Sequence, residues 1–269
     1  MSMPAGEAPF ADLAITEAGA RALGVDLDRA QLDHLRRYGE ALLDWNTRMN
    51  LTAITDPARV QTLHFLDALT LVPAIRARQR AAAGGELTLL DVGSGAGVPG
   101  IPLKIALPEL RVTLLDGTGK RVRFLWHVIE SLGLRGIGAV QGRAEEAAHD
   151  PEWREQFDLV TARALARLPT LLEWCLPFSR VGGLLLAPKA GDIAAEVAAG
   201  RRAAAPLGGR VRDSRPVPLP DLPNHVLILI DKVAPTPPAF PRGRGLPAKE
   251  PLGSDERVTS DEEAPSDER

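Results

Sequence analysis

The sequence contains a single cysteine, Cys175, a single tyrosine and 4% aromatic residues in 269 positions. One thiol can form neither an intrachain disulfide nor a multi-cysteine metal site, and the five histidines are too scattered to indicate a metal site. No stretch approaches the roughly 20 apolar residues that a membrane helix needs, and the amino-terminal residues lack the pattern of a signal peptide. We therefore expect a cytoplasmic protein with no metal centre and no membrane partner.

The chain carries little net charge, but that charge is unevenly distributed. Its formal net charge is −3, from 32 basic and 35 acidic residues. Residues 253–269 hold seven acids and two arginines, which leaves 30 basic and 28 acidic residues, a net charge of +2, in the rest of the chain. A mildly basic body permits a polyanionic partner but does not require one.

Three regions follow from the patterns along the chain. Residues 1–80 have helical periodicity, with a capping box at Asp28 and Gln31 and a second helix start at Asp56-Pro57. Within this helical region and just beyond it, residues 76–86 are rich in alanine, arginine and glycine and indicate a surface connection. Residues 81–236 form an α/β domain, and residues 237–269 form a tail that is first Pro/Gly-rich and basic and then acidic, with its end expected to be disordered.

Short apolar runs alternate with helical patterns through the middle region. The pattern predicts seven strands, near residues 87–92, 111–115, 137–141, 157–161, 182–187, 210–217 and 225–232. Strands that alternate with helices favour a parallel sheet covered on both faces. The last two strands have no helix between them, so we expect a hairpin at one edge of the sheet.

The segment LLDVGSGAGVPG, residues 89–100, is the most informative part of the chain. Its glycines fit both spacings of a nucleotide-binding loop that leaves a strand and enters a helix. The next predicted strand ends at Asp116, where a carboxylate can accept hydrogen bonds from ribose hydroxyls. The alternative is a tight turn without a ligand, which the presence of Asp116 disfavours.

Asp91 bears on which ligand the loop binds, because NAD and S-adenosylmethionine both use this architecture. A carboxylate two residues before Gly93 suits a ligand ammonium group and would repel a pyrophosphate. S-adenosylmethionine carries an ammonium and a sulfonium and no phosphate. The pattern therefore favours S-adenosylmethionine, with an NAD-dependent oxidoreductase as the alternative.

Several motifs together resemble one family, the bacterial 16S ribosomal RNA guanine methyltransferases, also called the glucose-inhibited division protein B family. The resemblance covers about residues 40–252 and includes WNTRMNLT (45–52), HFLDAL (64–69), LLDVGSGAGVPGIPL (89–103), LLDGTGKRVRFL (114–125), QGRAEE (141–146), TARAL (161–165), the lysine of APKAG (187–191) and PRGRGLPAKEPL (241–252). In the last motif Gly243-Arg244 stands where a Lys-Pro pair is more usual. The resemblance implies methylation of ring nitrogen 7 of a guanine in 16S ribosomal RNA of the small subunit. It also implies a class I methyltransferase sheet, Rossmann-like, with seven strands of which the last is antiparallel, behind an amino-terminal helical extension.

The resemblance also assigns residues to the methyl donor. Together with the acid at position 91, the candidate cofactor-binding residues are Asp91, Gly93, Gly95, Val98, Asp116, Ala144, Glu145 and Arg163. For Glu145 the alternative is an exposed residue in a first helical turn. For Arg163 it is a structural ion pair, with Asp91 or Asp116 as the partner.

Basic residues cluster where the strands of the sheet end, which is where open α/β sheets bind ligands. The candidate RNA-binding residues are Lys120, Arg121, Arg123, Arg143, Lys189, Arg242 and Arg244. Arg143 and Lys189 are also candidates for positioning the substrate. For each cation the alternative is an exposed charge on the polar face of its helix or loop. Trp45 is interpreted as a core residue, and His64 and Asp67 share one helix face, where they can hydrogen-bond.

Guanine N7 already has a free lone pair, so its methylation requires no general base. The residues after the fourth predicted strand read TARAL and lack the Asn-Pro-Pro-aromatic signature of amino-group methylation. A further alternative is a non-catalytic assembly factor that binds ribosomal RNA. The sequence does not determine the oligomeric state, and we take a monomer as the expectation.

Overall fold

The fold is built on a seven-stranded sheet. The computed structural model describes residues 9–82 and 85–253. The strands are β1 Thr88–Val92, β2 Arg111–Asp116, β3 Ile137–Gln141, β4 Phe157–Thr161, β5 Ser179–Ala190, β6 Gly209–Pro216 and β7 His225–Lys232, in the spatial order β3-β2-β1-β4-β5-β7-β6. Strand β7 is antiparallel to both of its neighbours, and strands β1 to β5 pair in parallel. This order confirms the predicted α/β class, a Rossmann-like sheet of the class I methyltransferase type.

The helices begin and end as follows: α1 Ala14–Ala22, α2 Arg29–Asn46, α3 Pro57–Val60, α4 Asp67–Leu69, α5 Val72–Ala81, α6 Gly100–Ala106, α7 Gly119–Ser131, α8 Ala144–Ala147, α9 Leu168–Cys175, α10 Ala194–Ala204 and α11 Leu246–Lys249.

The predicted helix starts are confirmed. Asp28 and Gln31 form a reciprocal capping box on α2, and Asp56 caps α3, whose first residue is Pro57. Among the residues that the structure describes, no helix has the length and apolar character to cross a membrane.

The amino-terminal helices cover one face of the sheet. Leu35, Leu42 and Phe65 of this region are completely buried and belong to the same apolar cluster as Leu89 of β1 and Phe124 of α7. A second cluster fills the opposite face beneath α9 and α10. The helical region and the sheet therefore share one continuous core, and the chemistry at the sheet edge can include residues from both.

Two details of the amino-terminal region differ from the sequence expectation. The helix that starts at Asp56 is not uniform, because residues Gln61–Leu66 form a π-helix between α3 and α4. The predicted connection at 76–86 is also wrong in its first part, because α5 continues to Ala81. Alanine and arginine are good helix formers, and Ile75 at 0% exposure anchors α5 to the core.

The Pro/Gly-rich segment after β7 packs on the domain as far as Gly253. The Arg154 guanidinium donates hydrogen bonds to the carbonyl oxygens of Thr236, Pro237 and Phe240. The Thr170 hydroxyl donates to the carbonyl oxygen of Pro247. The first part of the predicted tail thus packs on the domain, and the acidic end that we expect to be disordered lies outside the described residues.

Candidate functional site

The glycine loop connects β1 to α6 at the carboxyl edge of the sheet. Gly93 has φ +72°, in the left-handed region that glycine adopts readily, and a Cβ there would lie 2.5 Å from Leu165 Cδ1. At Gly100 a Cβ would lie 2.3 Å from Leu114 Cδ2 and 2.9 Å from Asp91 Oδ2. Close packing against Leu114 of β2 and against Leu165, in the loop that follows β4, therefore favours glycine at both ends of the loop.

Asp91 is completely buried beneath this loop. Its Oδ2 accepts a hydrogen bond from the Gly100 backbone N–H at 3.0 Å, and its Oδ1 has no hydrogen-bond partner. Burial raises the pKa of Asp91 to about 7, and the Gly100 N–H opposes that rise. The structure thus shows Asp91 holding the start of α6, and its contact with a ligand ammonium stays a prediction.

The start of α6 offers no backbone N–H to a phosphate. Pro99 and Pro102 lack the group, the Gly100 N–H donates to Asp91, and the Ile101 N–H donates to the Gly97 carbonyl oxygen. A dinucleotide fold binds its pyrophosphate through free N–H groups at this helix terminus. The geometry therefore disfavours the NAD-dependent alternative.

Asp116 ends β2 as the sequence predicts and lies against the glycine loop. Its Oδ2 accepts the Gly95 N–H at 2.9 Å and its Oδ1 accepts the Thr118 N–H at 2.8 Å. Arg121 Nη1 is 3.6 Å from Oδ2. The carboxylate therefore faces the loop, where its remaining lone pairs can accept from a ribose hydroxyl.

Next to the loop lies a cavity that we call the cofactor cavity. It is lined by Val92, Gly93, Leu115, Gly117, Gly142, Arg143, Ala144, Glu145, Leu165 and Trp174. Four predicted site residues are among them, namely Gly93, Arg143, Ala144 and Glu145. Asp91, Gly95, Val98 and Asp116 belong to or support the adjacent loop but do not line this cavity. The cavity measures about 100 Å³, and its lining combines apolar walls with the Glu145 carboxylate as an acceptor and the Arg143 guanidinium as a donor.

A second cavity, which we call the base cavity, lies on the other side of the TARAL loop. It measures about 200 Å³ and is lined by Asp67, Arg163, Ala164, Pro188, Lys189, Ala190 and His225. Arg163 and Ala164 line the base cavity, whereas the next residue, Leu165, lines the cofactor cavity. Ala164 has φ +51°, a strained conformation for a residue with a β-carbon. One strained loop therefore separates the two cavities.

Arg163 connects the amino-terminal helices to this loop. Its Nε is 2.8 Å from Asp67 Oδ2, its Nη2 donates to the Leu63 carbonyl oxygen and its Nη1 donates to His64 Nδ1. The alternative of a structural ion pair is thus realised, with Asp67 as partner and neither Asp91 nor Asp116. The predicted contact of Arg163 with the cofactor stays a prediction.

His64 links Arg163 to the 45–52 motif through its two ring nitrogens. Burial lowers the pKa of His64 to about 4, and the Arg163 charge acts in the same direction. The ring is therefore neutral. Its Nδ1 lies 3.1 Å from the Leu63 carbonyl oxygen and 3.3 Å from Arg163 Nη1, and its Nε2 lies 3.0 Å from the Thr52 hydroxyl. Asn46 Oδ1 in turn accepts the backbone N–H groups of Leu51 and Thr52. His64 and Asp67 thus both bind Arg163 and do not bind each other.

Of the seven predicted RNA-binding residues, four are exposed and three are paired with acidic side chains, among them Arg121 with Asp116. Lys120, Arg123, Arg143 and Arg244 are exposed. The Lys189 ammonium is instead bound to Glu196 Oε1 at 2.7 Å and to the Ala166 carbonyl oxygen. The Arg242 guanidinium forms a bidentate pair with Glu173, whose side chain has 0% exposure. These contacts favour structural or positioning roles for Lys189 and Arg242 over RNA contacts.

Sequence reasoning missed two features of the site. The Tyr38 hydroxyl of α2 donates to the Ala96 carbonyl oxygen at 2.7 Å and so holds the glycine loop from the helical side. The sequence contains no other tyrosine, and this was the one feature that could have drawn attention to Tyr38. Pro99 and Pro102 were visible in the sequence, and their missing N–H groups already argued against a pyrophosphate. Trp45 is half-buried and packs against the core, with its ring centroid 5.5 Å from that of Phe124, so it borders the core and does not lie inside it.

Comparison with known proteins places the chain in one family. The model of the GidB family, described as rRNA small subunit methyltransferase G, matches residues 31–214. Ribosomal RNA small subunit methyltransferase G of Roseiflexus sp. (strain RS-1) is 49% identical over 87% of this chain and 97% of that protein. The protein of the same name from Acetivibrio thermocellus is 45% identical over 87% of this chain and 94% of its own length. Among solved structures, the antibiotic-resistance methyltransferase Kmr is 20% identical, with a TM-score of 0.44 over 59% of this chain and 91% of that chain. The chain belongs to the rRNA small subunit methyltransferase G family.

Proposed function

We propose that the protein transfers a methyl group from S-adenosylmethionine to ring nitrogen 7 of a guanine in 16S ribosomal RNA of the small subunit. The observation that carries this proposal is the pair of cavities on either side of residues 163–165. Such a pair can hold a methyl donor and a base next to each other. The expectation of a monomeric enzyme acting in the cytoplasm is part of the same proposal.

The residues at the glycine loop fit the methyl donor. Gly93, Ala144 and Glu145 line the cavity that would take its adenosine portion, and the Asp116 carboxylate would accept from its ribose. When bound, S-adenosylmethionine supplies an electrophilic methyl group next to a positively charged sulfur. The protein's contribution is then to hold the two reactants in line and to exclude water.

The cysteine and the histidine near the site are consistent with direct attack by the lone pair of guanine N7. Cys175 is completely buried in α9, and burial raises the pKa of its thiol, so it cannot act as a nucleophile toward a pyrimidine ring. His64, the histidine nearest to Arg163, has a lowered pKa and already uses both ring nitrogens. Guanine N7 needs neither a nucleophile nor a base from the protein.

The proposal is tested by label transfer. Purified protein and S-adenosylmethionine with a tritiated methyl group should label small subunits from a strain that lacks the enzyme, and nuclease digestion should yield labelled 7-methylguanosine. Label in another nucleoside would overturn the guanine assignment. Binding of ribosomal RNA without any transfer would favour the assembly-factor alternative, and a thermal shift with NAD in place of S-adenosylmethionine would favour the oxidoreductase.

Arg123 tests the basic rim, which we define as Lys120, Arg123, Arg143 and Arg244. We expect Arg123→Glu to weaken binding to small-subunit RNA by about tenfold and to reduce the slope of log affinity against log salt by about 1, because a phosphate contact is lost. Calorimetry should show unchanged affinity for S-adenosylmethionine. The matched control is Arg135→Glu, an exposed arginine between α7 and β3 at the opposite edge of the sheet. Equal RNA affinities for the two variants would refute the assignment.

A further inference from the structure

The base cavity contains a buried hydrogen-bond acceptor without a donor. Asp67 is 3% exposed, and its Oδ2 is bound to Arg163, but its Oδ1 has no partner. The nearest candidate, His225 Nε2, is 4.0 Å away, beyond hydrogen-bond distance. Leaving a buried carboxylate oxygen unpaired is unfavourable, so this site is incomplete without a donor.

The other charged groups around the cavity cannot donate a hydrogen bond to Asp67 Oδ1, because their own donors are already used. The Arg163 guanidinium is used by Asp67 Oδ2, the Leu63 carbonyl oxygen and His64. The Lys189 ammonium is used by Glu196 and the Ala166 carbonyl oxygen. The missing donor is therefore expected on a ligand, and a cavity of about 200 Å³ is smaller than the roughly 300–1,000 Å³ of drug-sized sites and suits a single base.

We propose that Asp67 recognises the target base, with its free Oδ1 accepting a hydrogen bond from guanine N1–H while N7 faces the cofactor cavity. The inference rests on the proposed function, because it assigns the base cavity to the acceptor of the same reaction. N1 lies on the Watson–Crick edge of a purine and N7 on the neighbouring Hoogsteen edge, so a contact at N1 leaves N7 free. A base held at N1 by Asp67 can therefore present N7 across residues 163–165.

This contact distinguishes the two purines. Both have a lone pair at N7, but guanine N1 carries a proton whereas adenine N1 carries a lone pair. Burial raises the pKa of Asp67, and the charge of Arg163, 2.8 Å away, opposes that rise. In its ionised form Asp67 would accept from guanine N1–H and repel the lone pair at adenine N1. A site built around one such hydrogen bond rejects analogues that lack the donor, because its own buried group is left unpaired.

The same contact becomes stronger as the reaction proceeds. The N7 lone pair forms the new bond to the methyl carbon, the bond from carbon to sulfur breaks with its electron pair remaining on sulfur, and the positive charge passes to the purine. A more positive ring makes N1–H a better donor to a carboxylate. Asp67 would then stabilise the transition state more than the bound substrate, which is the condition for raising kcat.

The test compares base analogues at the methylated guanine, first mapped with the wild-type enzyme, in reconstituted small subunits. Inosine keeps N1–H and N7 but loses the 2-amino group, whereas 2-aminopurine keeps N7 and presents a lone pair at N1. We expect wild-type kcat/KM to be at least about 100-fold higher on guanine than on 2-aminopurine. In Asp67→Asn, whose amide can donate to N1, that ratio should shrink by at least about tenfold.

A purely structural role for Asp67 would lower both rates together. An unchanged ratio in Asp67→Asn would therefore overturn the inference while leaving the proposed function intact, and absence of methylation of guanine itself by the wild type would overturn the proposed function. Asp56→Asn, the same substitution at the exposed cap of α3, should leave the ratio unchanged. If Asp67→Asn does not fold, the wild type alone can still refute the inference, because equal rates on inosine and 2-aminopurine would overturn it.

Discussion

Replacing Gly93 by aspartate abolishes S-adenosylmethionine binding, with affinity expected to fall by more than about 100-fold, or about 2.8 kcal/mol. Two effects combine at this position. The new Cβ would lie 2.5 Å from Leu165 Cδ1, and since Leu165 lines the cofactor cavity, its displacement alters the wall of that cavity. The added carboxylate would also enter a cavity whose lining already includes the Glu145 carboxylate. Isothermal titration calorimetry measures the affinity, and label transfer to small subunits should be lost in parallel.

The variant Gly133→Asp is the control for the effect of backbone strain alone. Gly133 also has positive φ, +62° compared with +72° for Gly93, and a Cβ there meets nothing within 4 Å. Both variants incur the cost of a left-handed aspartate, about 1–2 kcal/mol at most. We expect Gly133→Asp to bind S-adenosylmethionine normally with a slightly lowered Tm. Wild-type affinity in Gly93→Asp would show that residue 93 does not touch the methyl donor.

The sheet could be predicted from the sequence because its signals are local. Alternation of apolar runs with helical patterns predicted all seven strands, and the missing helix between β6 and β7 predicted the reversed strand. The insertion of β7 between β5 and β6 is a long-range pairing that no local pattern contains. The π-helix at Gln61–Leu66 escaped prediction for a related reason, since apolar spacing does not distinguish it from α-helix.

The site could be predicted only in part, because a sequence shows which groups are present and not which are already paired. Asp116 could be placed from the strand that precedes it. Lys189 and Arg242 have the same basic character as Arg123 in the sequence, and only the structure shows that Glu196 and Glu173 hold them. The importance of Asp67 was also hidden, because its partner Arg163 lies 96 positions further along the chain.

Replacing Arg242 by methionine destabilises the protein by about 3–5 kcal/mol, the usual cost of removing one partner of a buried ion pair. Glu173 has 0% exposure and accepts hydrogen bonds from both the guanidinium and the backbone N–H of Arg242. Without the guanidinium, a buried carboxylate loses its counter-charge and must take up a proton or water. The free energy of unfolding from urea titration, followed by the circular dichroism of the helices, measures the loss.

A matched control separates this structural role from RNA binding. Arg244, two residues further along, is exposed, so Arg244→Met should leave the free energy of unfolding within about 0.5 kcal/mol of the wild type and weaken RNA binding by one phosphate contact. Replacing both members of the pair, Glu173→Met with Arg242→Met, should recover much of the lost stability, because two apolar side chains need no charge partner. If Arg242→Met and Arg244→Met unfold at the same urea concentration, the pair with Glu173 does not anchor the carboxyl-terminal segment. A large difference in stability, with the loss of RNA affinity confined to Arg244→Met, would assign anchoring to the first arginine and RNA binding to the second.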